Sequence, residues 1–345
     1  MTAVHVVLPG DIDDPAEPSG GNAYDRQVCR GLGGLGWTVR EHPVPGGWPH
    51  PGAGERAAVA ALLAGLPDDA TVLLDGLVAS TVPDVLAPHA ARLRLVVLVH
   101  LPIEGEAEAR ALAAATAVVA TSEWTRRRLL DRYRLDPDRV RVAPPGVDPA
   151  PVASGTPGGG RLLCVAAVTP VKGHDVLAAA LAEVADLDWT CDWVGPLDRD
   201  RAFVGRLRGR LTATGLADRV RLTGPRVGPD LATTYAAADL LVLPSRRETY
   251  GMVVTEALAR GVPVLAGDTG GLPATLGRAP DGDRPGLLVP TDDPGATAAA
   301  LRRWLTDPGL RERLRRAARH RRPTLTRWSD TVHRLASALK EATPA

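Results

Sequence analysis

The sequence is poor in aromatic residues, in net charge and in long apolar runs. Aromatic side chains make up 3% of its 345 residues, with a single Phe, and the formal net charge is +1. A nearly neutral chain gives no support to a protein that binds nucleic acid or another acidic polymer. No apolar run approaches the length of a membrane span. The first nine residues carry neither the basic segment nor the cleavage site of an export signal, so we expect a cytoplasmic protein.

Cysteine is also scarce, which limits the redox and metal chemistry of the chain. The three cysteines, Cys29, Cys164 and Cys191, match neither a disulfide framework nor a metal-ligand spacing. An Asp-x-Asp pattern at Asp198 and Asp200 is one of five in the chain, too common to predict a metal site. We interpret Asp198 as the N-cap of a helix. The cysteines are expected to be buried thiols, and we expect no metal and no other cofactor.

Lysine is almost absent, and the place of one lysine is informative. Of 41 basic residues only two are lysine, Lys172 and Lys340. Lysine is a compact point charge, whereas arginine is a larger planar fork. Two explanations are open for a lysine at position 172 in a chain that uses arginine almost everywhere: a site that needs the compact cation, or codon chance at an exposed position. The position of Lys172 after a predicted strand favours the first. This choice predicts a phosphate pocket that fits only the compact ammonium.

Strand and helix patterns alternate through both halves of the chain, which is typical of doubly wound parallel sheets. The Pro-, Gly- and Ser-containing stretch 151–160 cannot form a core element and is predicted to be a linker. The predicted organisation is an N-terminal domain at 1–150, the linker at 151–160, a C-terminal domain at 161–322 and a last helical segment at 323–345. Predicted strands lie at 4–8, 38–42, 71–74, 93–99, 117–120, 140–143, 162–168, 189–194, 220–222, 239–243, 262–266 and 287–289.

The stretch from Asp239 to Gly271 carries the strongest functional signal. An apolar run predicts a buried strand, and Glu248 lies in the loop that follows it. A predicted helix at 251–260 carries Glu256, and a further strand and Gly271 come next. Ligands of open parallel sheets bind at this edge. Two carboxylates there can accept hydrogen bonds from sugar hydroxyls while the helix N-terminus binds phosphate.

Three further segments place polar or flexible residues at the end of a predicted strand. Gly20 and Gly21 form a predicted loop before a helix, and paired glycines let a ligand approach the backbone. His100 ends a buried strand, and Lys172 opens a helix after a strand and a short loop. All three segments are predicted to lie at the ligand-binding edge of their sheets.

Together these segments resemble the family 4 retaining glycosyltransferases, which have the α/β GT-B fold of two Rossmann-like, doubly wound domains facing across a cleft. The resemblance implies that the last helical segment crosses back to an acceptor-binding N-terminal domain, and that the C-terminal domain binds the nucleotide-sugar. It implies catalytic roles for Lys172, His100 and Glu248. It also implies a donor site made of Gly20, Gly21, Thr169, Lys172, Tyr250, Gly251, Met252 and Glu256, with Glu256 at the ribose and with Asn22 and Glu104 on the acceptor side.

One position departs from the family pattern. Five residues before Lys172 the family usually has an arginine that pairs with the donor phosphates, and this chain has Ala167. Three alternatives stay open: Lys172 and backbone amides suffice, Arg246 or Arg247 reaches the phosphates instead, or donor binding is weak.

The resemblance implies a metal-independent, retaining glycosyltransferase that moves a sugar from a nucleotide-diphospho-sugar to an acceptor. With so few aromatic side chains to stack on a long glycan, a small or specialised acceptor is favoured. The alternatives are a GT-B-type epimerase, a degenerate binding protein and an NAD-dependent oxidoreductase. The glycine fingerprint from Gly31 to Gly36 argues against the last, because it follows a helix and precedes a strand. No nucleic-acid partner is expected, and the donor base, the sugar, the acceptor and the oligomeric state stay open.

Overall fold

The computed structural model describes residues 2–342, and the chain divides into two compact units of alternating strands and helices. The N-terminal unit contains the residues up to 14, residues 19–146 and the residues from 326 onward. The C-terminal unit contains residues 15–18 and 147–325. The stretch 151–160 therefore belongs to the C-terminal unit, and the last helix belongs to the N-terminal unit.

The N-terminal unit is built on a six-stranded sheet that is parallel throughout. Its strands are β1 (Ala3–Pro9), β2 (Thr38–Val44), β3 (Thr71–Asp75), β4 (Arg94–Val99), β5 (Ala117–Ala120) and β6 (Val140–Val142). Its helices are α1 (Gly20–Gly34), α2 (Ala53–Ala64), α3 (Gly76–Ala79), α4 (Pro83–Leu86), α5 (Glu106–Ala114) and α6 (Glu123–Tyr133), and the chain's last helix, α14 (Trp328–Glu341), belongs here too. The strands lie in the order β2-β1-β3-β4-β5-β6.

The C-terminal unit repeats this plan with a second six-stranded parallel sheet. Its strands are β7 (Arg161–Val165), β8 (Thr190–Val194), β9 (Val220–Gly224), β10 (Leu240–Leu243), β11 (Val264–Gly267) and β12 (Gly286–Val289). Its helices are α7 (His174–Glu183), α8 (Arg201–Ala213), α9 (Gly228–Ala236), α10 (Met252–Ala259), α11 (Leu272–Leu276), α12 (Pro294–Thr306) and α13 (Pro308–Arg321). The strands lie in the order β12-β11-β10-β7-β8-β9.

Both faces of each sheet are covered, which explains why the strands read as continuous apolar runs. In β4, Val96 packs in a cluster with residues of α1 and α14, whereas the neighbouring Val97 packs in a separate cluster on the other face. The C-terminal unit likewise has one apolar cluster on each side of its sheet. These buried faces fix the strands and leave their carboxyl ends as the edges where polar loops gather.

The strand order reverses once in each sheet, and this reversal defines where a ligand can bind. In the N-terminal unit the reversal lies between β1 and β3, and in the C-terminal unit it lies between β7 and β10. The connections that leave two such strands run to opposite sides, which opens a crevice at their carboxyl ends. The loops after β1, β3, β7 and β10 are therefore the expected ligand-binding loops.

Several local predictions need correction. Helix α1 begins at Gly20, with Ser19 as its N-cap, so the paired glycines form its first turn and not a loop before it. Strand β7 ends at Val165, three residues before the predicted end, because the chain turns there into the loop that carries Lys172. Helix α8 is capped by Asp200 and not by Asp198, since the Asp200 carboxylate accepts a 2.8 Å hydrogen bond from the amide of Phe203.

Gly31, the first glycine of the fingerprint from Gly31 to Gly36, has a packing role. A Cβ added to Gly31 would lie 2.4 Å from Cγ2 of Val332, because α14 packs against α1 at that point.

Among residues 2–342, none of the helices combines the length and the apolar composition needed to cross a membrane.

Candidate active site

Lys172 and Glu248 meet at the strand-order reversal of the C-terminal unit. Lys172 ends a short 3-10 turn after β7, and Glu248 lies in the loop after β10. Lys172 Nζ lies 2.6 Å from Glu248 Oε1, and the hydroxyl of Ser245 donates to the same oxygen at 3.1 Å. Both charged side chains are largely shielded, with 28% and 12% of their surface exposed. The arrangement offers one ammonium and one carboxylate to a ligand at this edge.

Two glycines let the neighbouring backbone close around this pair. Gly173 has φ +71°, and a Cβ there would lie 2.1 Å from the carbonyl oxygen of Pro244. Gly270 has φ +58°, and a Cβ there would lie 1.7 Å from the carbonyl oxygen of Glu248. Any side chain at either position would displace the loop that carries Glu248, because backbone atoms cannot yield as a flexible side chain does.

Arg246 is held in place beside Lys172 and does not stand free. Its guanidinium donates two hydrogen bonds of 2.9 Å to the carboxylate of Asp175 and also bonds Asp292. Burial alone would raise the pKa of Asp175, but the hydrogen bonds and the charge of Arg246, together with backbone hydrogen bonds, outweigh burial and lower that pKa. A bidentate ion pair of this kind is both directional and strong. To reach a phosphate, Arg246 would have to leave both carboxylates, which disfavours it as the replacement for the missing arginine.

Glu256 occupies the second turn of α10 and bonds a buried tyrosine. The hydroxyl of Tyr235 donates to Glu256 Oε2 at 2.7 Å, and the guanidinium of Arg260 lies 4.9 Å from the Tyr235 ring. Burial raises the pKa of Glu256, and the Tyr235 hydrogen bond opposes that shift. The hydrogen bond from Tyr235 thereby fixes Oε2 of Glu256. It also sets the orientation of the carboxylate, so that Oε1 can accept a hydrogen bond from a ligand hydroxyl.

Helix α10 begins after a glycine and without a side-chain cap. Gly251 has φ +89°, and no side chain caps the helix that Met252 opens. The first amides of a helix have no partner within it and can bind an anion. Tyr250 is half-buried, and burial raises its pKa to about 12, so it stays a neutral phenol. Thr169 is half-buried at the start of the turn that carries Lys172.

In the N-terminal unit, His100 joins two carboxyl groups that the sequence did not single out. His100 follows β4, Asp75 ends β3 and Asp25 lies on α1. His100 Nε2 lies 2.8 Å from Asp25 Oδ1 and 3.6 Å from Asp75 Oδ2. The two carboxyl groups are 2% exposed and the imidazole 15% exposed. Burial first, and the neighbouring Asp25 second, raise the pKa of Asp75 to about 7.

Among residues 2–342, the same three residues form the group whose chemistry and spacing could suit a metal ion. Their candidate ligand atoms all lie within 4.8 Å of one another. One histidine nitrogen and two carboxylates are common ligands of Zn²⁺ or Mn²⁺. However, two ligands of one tetrahedral ion lie about 3.3 Å apart, whereas the 2.8 Å separation of His100 and Asp25 is that of a hydrogen bond. The geometry therefore fits a proton between these atoms better than a metal.

The start of α1 packs against this histidine. A Cβ on Gly21 would lie 3.3 Å from Cδ2 of His100, tighter than an ordinary contact. The Ser19 hydroxyl accepts a 3.0 Å hydrogen bond from the amide of Asn22, and the Asn22 side chain bonds the carbonyl of Asp11 at 3.4 Å. Gly21 thus brings the helix backbone close to the imidazole, whereas Gly20 is exposed at the first position of α1.

The loop after His100 is fixed by a buried carboxylate. Glu108 accepts hydrogen bonds of 3.0 Å from the amides of Ile103 and Glu104, and a 2.6 Å bond from the Tyr133 hydroxyl. These contacts hold Glu104 at φ +62°, and its side chain pairs with Arg128 at 2.9 Å. Glu104 is therefore presented by a rigid loop at the carboxyl edge of the sheet.

Sequence reasoning missed Asp25, Asp75, Asp175 and Tyr235. Asp75 carried a usable signal, because it ends a buried strand next to the strand of His100, where polar residues gather. The other three lie on helices in no motif, and only the fold brings them to their partners.

Two sequence families match this chain, one over each unit. Residues 3–151 match Glycosyltransferase Family 4, and residues 159–307 match Glycosyl transferases group 1. A D-inositol 3-phosphate glycosyltransferase of Kineococcus radiotolerans is 37% identical over 236 residues, which are 61% of this chain and 54% of that protein. The enzyme of the same name from Thermomonospora curvata is 37% identical over 252 residues, 66% of this chain and 57% of that protein. The matched region thus spans about half the length of these relatives.

Solved structures share the fold over the whole chain. Sucrose-phosphate synthase from Thermosynechococcus elongatus has a TM-score of 0.81 at 23% identity, with 99% of each chain covered. HepE from Anabaena, solved with UDP-glucose, has a TM-score of 0.76 at 17% identity, with 99% of this chain and 100% of that chain covered. The two-domain GT-B fold expected from the sequence is confirmed, and the chain belongs to the family 4, group 1 glycosyltransferases.

Proposed function

We propose that this protein is a retaining, metal-independent glycosyltransferase that uses a nucleotide-diphospho-sugar. The pairing of Lys172 with Glu248 at the strand-order reversal is the observation that carries the proposal. A donor of this class has an anionic diphosphate next to a sugar rich in hydroxyls. An ammonium and a carboxylate side by side match these two parts in charge and in hydrogen bonding.

Donor binding would exchange the partners of this pair. The diphosphate would take the ammonium of Lys172 from Glu248, and the released carboxylate would accept hydrogen bonds from the sugar hydroxyls. The first amides of α10, with no side-chain cap, would bind the sugar and phosphate oxygens. Glu256 would bind the ribose through the oxygen that Tyr235 leaves open. UDP-glucose bound to HepE, a protein of the same fold, supports this class of donor.

The transfer would depend on positioning and charge rather than on an enzymic nucleophile. The bond between the anomeric carbon and the phosphate oxygen breaks, and the acceptor oxygen bonds to the same face of that carbon. The acceptor proton passes to the departing phosphate oxygen. Lys172 would stabilise the negative charge that grows on the diphosphate, the contribution that usually lowers such barriers most.

The acceptor is proposed to be small. Few aromatic side chains are available to stack on a long glycan, and the relatives reported above are named for a small polyol phosphate. Within residues 2–342, three of the five exposed large apolar side chains follow the carboxyl ends of strands, namely Leu101, Val171 and Val227. Each of these side chains is available to contact a small ligand at the edge of its own sheet. A cytoplasmic location stays a prediction of the sequence.

The first test is the melting temperature of the protein with UDP, GDP, ADP, TDP or NAD, each with and without EDTA. A ligand that binds only the folded state raises the melting temperature. We expect one nucleoside diphosphate to stabilise the protein and EDTA to have no effect. Stabilisation by NAD alone would favour an oxidoreductase, and a metal requirement would contradict the metal-independent mechanism.

The second test separates an enzyme from a binding protein or an epimerase. The stabilising nucleotide is supplied as its sugar conjugates with a panel of acceptors that includes inositol 3-phosphate, and the release of nucleoside diphosphate is measured. Acceptor-dependent release with an α-linked product from an α-linked donor is expected. Release without any acceptor, together with an altered sugar, would indicate an epimerase, and binding without release would indicate a degenerate binder.

A further inference from the structure

A second polar cluster, made of Asp25, Asp75 and His100, is not explained by the binding of a donor. The three side chains come from α1, β3 and the end of β4, and the two carboxyl groups are almost completely buried. Two buried carboxyl groups are unfavourable next to each other unless a proton or a cation lies between them. Their position at the strand-order reversal of the N-terminal unit makes the cluster a candidate part of its binding site.

The hydrogen bonds around the cluster leave one oxygen unaccounted for. Asp75 Oδ1 accepts a 2.6 Å bond from the amide of Leu77, and Asp25 Oδ1 bonds His100 Nε2 at 2.8 Å. Asp25 Oδ2 is buried and has no hydrogen-bond partner within the part of the chain that the structure describes. A neutral carboxyl group can donate as well as accept. A hydrogen on Asp75 would therefore supply the partner that Asp25 lacks.

We infer that Asp25 and Asp75 are positioning residues, a carboxyl pair that holds one hydrogen in common and fixes the imidazole of His100 through Nε2. This inference rests on the proposed function for its effect on transfer, but the geometry of the pair stands independently. The pair acts from two sides, since Asp25 reaches the ring from α1 and Asp75 from β3. A ring fixed in this way holds its exposed edge in one orientation.

The electrostatic surroundings support this assignment. Burial lowers the pKa of His100, but Asp25 and then Asp75 outweigh burial and raise that pKa above its usual value. The other ionisable ring against His100 is Tyr24 of α1, 5.0 Å away, whose hydroxyl donates to the carbonyl of Ala143. On its far side Tyr24 meets Trp328 of α14, which carries no charge. Asp25 and Asp75 are therefore the charged groups that raise the pKa of the imidazole against the effect of burial.

Preorganisation explains why such a cluster would serve transfer. A polar group held in one rotamer and one charge state needs no reorganisation when the substrate reacts. Gly21 also contributes from α1, since the absence of a Cβ lets the helix backbone lie against the imidazole. With the carboxyl pair removed, the ring would lose both its orientation and the neighbours that raise its pKa.

Side-chain NMR of histidine tests the geometry without any assay of activity. Long-range ¹H–¹⁵N spectra from pH 5 to 9 follow the histidine rings in wild type, Asp75→Asn, Asp25→Asn/Asp75→Asn and Asp84→Asn. The His100→Gln variant assigns the signal by its loss. Asp84 is an exposed aspartate of the same unit that pairs with Arg56 and serves as the matched control.

The expected result is a graded response of the His100 titration. Its midpoint should lie above ~6.5 in wild type and in the Asp84 control, and should fall by about one pH unit or more in the double variant. In Asp75→Asn the amide can still donate to Asp25, so the Nε2–H signal should persist. If the double variant fails to fold, Asp25→Ala replaces it and should lose that signal, because Asp25 accepts the hydrogen bond of His100 Nε2. An unchanged midpoint or signal overturns the inference.

A titration with Mn²⁺ and a transfer assay distinguish the shared hydrogen from a cation site and from a purely structural role. Stoichiometric Mn²⁺ that broadens the His100 signals in wild type but not in the double variant would show a cation site and overturn the shared hydrogen. In the transfer assay, kcat of the double variant should fall about ten-fold or more, with little change in KM for the donor. The conservative Asp75→Asn variant should retain most of the wild-type kcat below pH 7. If the NMR result holds but no variant or wild type transfers sugar, the proposed function fails and the carboxyl pair stands.

Discussion

The ammonium of Lys172 and the carboxylate of Glu248 lie 2.6 Å apart although 76 positions separate them in the chain. The reversal of strand order between β7 and β10 brings their loops together, and the glycines at 173 and 270 let the backbones close around them. The pair lies at the carboxyl edge of the sheet and is only partly exposed. Its ammonium can exchange Glu248 for an anionic group of a substrate, and its carboxylate can then accept hydrogen bonds from substrate hydroxyls.

Replacing Lys172 should abolish transfer while leaving the fold intact. In Lys172→Met the compact cation is lost at similar volume, and we expect kcat to fall by about 100-fold or more, since the charge acts on the leaving diphosphate. Lys172→Arg should recover little, because a planar fork does not fit a site built for a point charge. Initial rates of nucleoside diphosphate release provide the measurement.

The chain supplies its own control for this substitution. Lys340 is the other lysine and is exposed on α14, so Lys340→Met should transfer sugar at the wild-type rate. Near-normal turnover in Lys172→Met would contradict the assignment of Lys172 to the diphosphate.

Replacing Glu256 should weaken nucleotide binding. In Glu256→Gln the hydrogen bond from Tyr235 can be retained by the amide oxygen, but the charged acceptor for the ribose is lost. We expect the Kd for the stabilising nucleoside diphosphate to rise about ten-fold, or about 1.4 kcal/mol, by calorimetry. Glu312→Gln, an exposed glutamate on α13, is the control and should bind normally. An unchanged Kd in Glu256→Gln would remove the ribose role.

The buried Asp75 predicts a pH-dependent stability of defined sign. Because its folded pKa of about 7 lies above the value of an unfolded aspartate, the folded state binds the extra proton. Its stabilisation is complete below the unfolded pKa and is lost as the pH rises through about 7. Asp75→Asn removes this loss, so its free energy of unfolding relative to wild type should improve by about 2 kcal/mol between pH 5 and pH 8.

Urea unfolding at pH 5, 6, 7 and 8 measures this difference. Asp84→Asn is again the control, because the hydrogen bonds from Arg56 lower the pKa of Asp84 and confine its titration to acid. Its stability relative to wild type should be the same at pH 5 and pH 8. A difference between wild type and Asp75→Asn that does not change with pH would refute the raised pKa.

A side chain at Gly270 should disrupt the donor site. In Gly270→Ala the new Cβ would meet the carbonyl of Glu248 at 1.7 Å, in addition to backbone strain at φ +58°. Gly282→Ala has similar strain at φ +89° but open space around its Cβ. Both variants should lose ~1 kcal/mol or more of stability, but only Gly270→Ala should lose the rise in melting temperature with nucleoside diphosphate. An equal rise in melting temperature in both variants would show that donor binding does not depend on the contact between Gly270 and the carbonyl of Glu248.

The sequence predicted the plan of the fold because buried parallel strands have a distinctive pattern. Each of the predicted strands overlaps an observed one, whereas the short helices α3, α4 and α11 were missed because they are too brief to show a period. The loops of Lys172 and Glu248 could be placed at a strand edge from sequence alone. The contact between them could not be predicted, because it depends on the order of the strands in the sheet. The carboxyl pair at His100 could not be predicted either, because it forms only when the fold brings α1, β3 and the end of β4 together.

Restoring an arginine at position 167 should strengthen donor binding. Ala167 lies in the loop after β7 that leads to Lys172, and Arg246 is already engaged by Asp175 and Asp292, which leaves the diphosphate with one nearby cation from this loop. In Ala167→Arg a second cation would share the phosphate charge, and we expect the Kd for nucleoside diphosphate to fall about ten-fold at low salt. Ala167→Gln adds similar bulk without charge and should not tighten binding. If both variants bind as the wild type does, Lys172 and the backbone amides already suffice; if Ala167→Arg binds more weakly, the diphosphate does not lie against this loop.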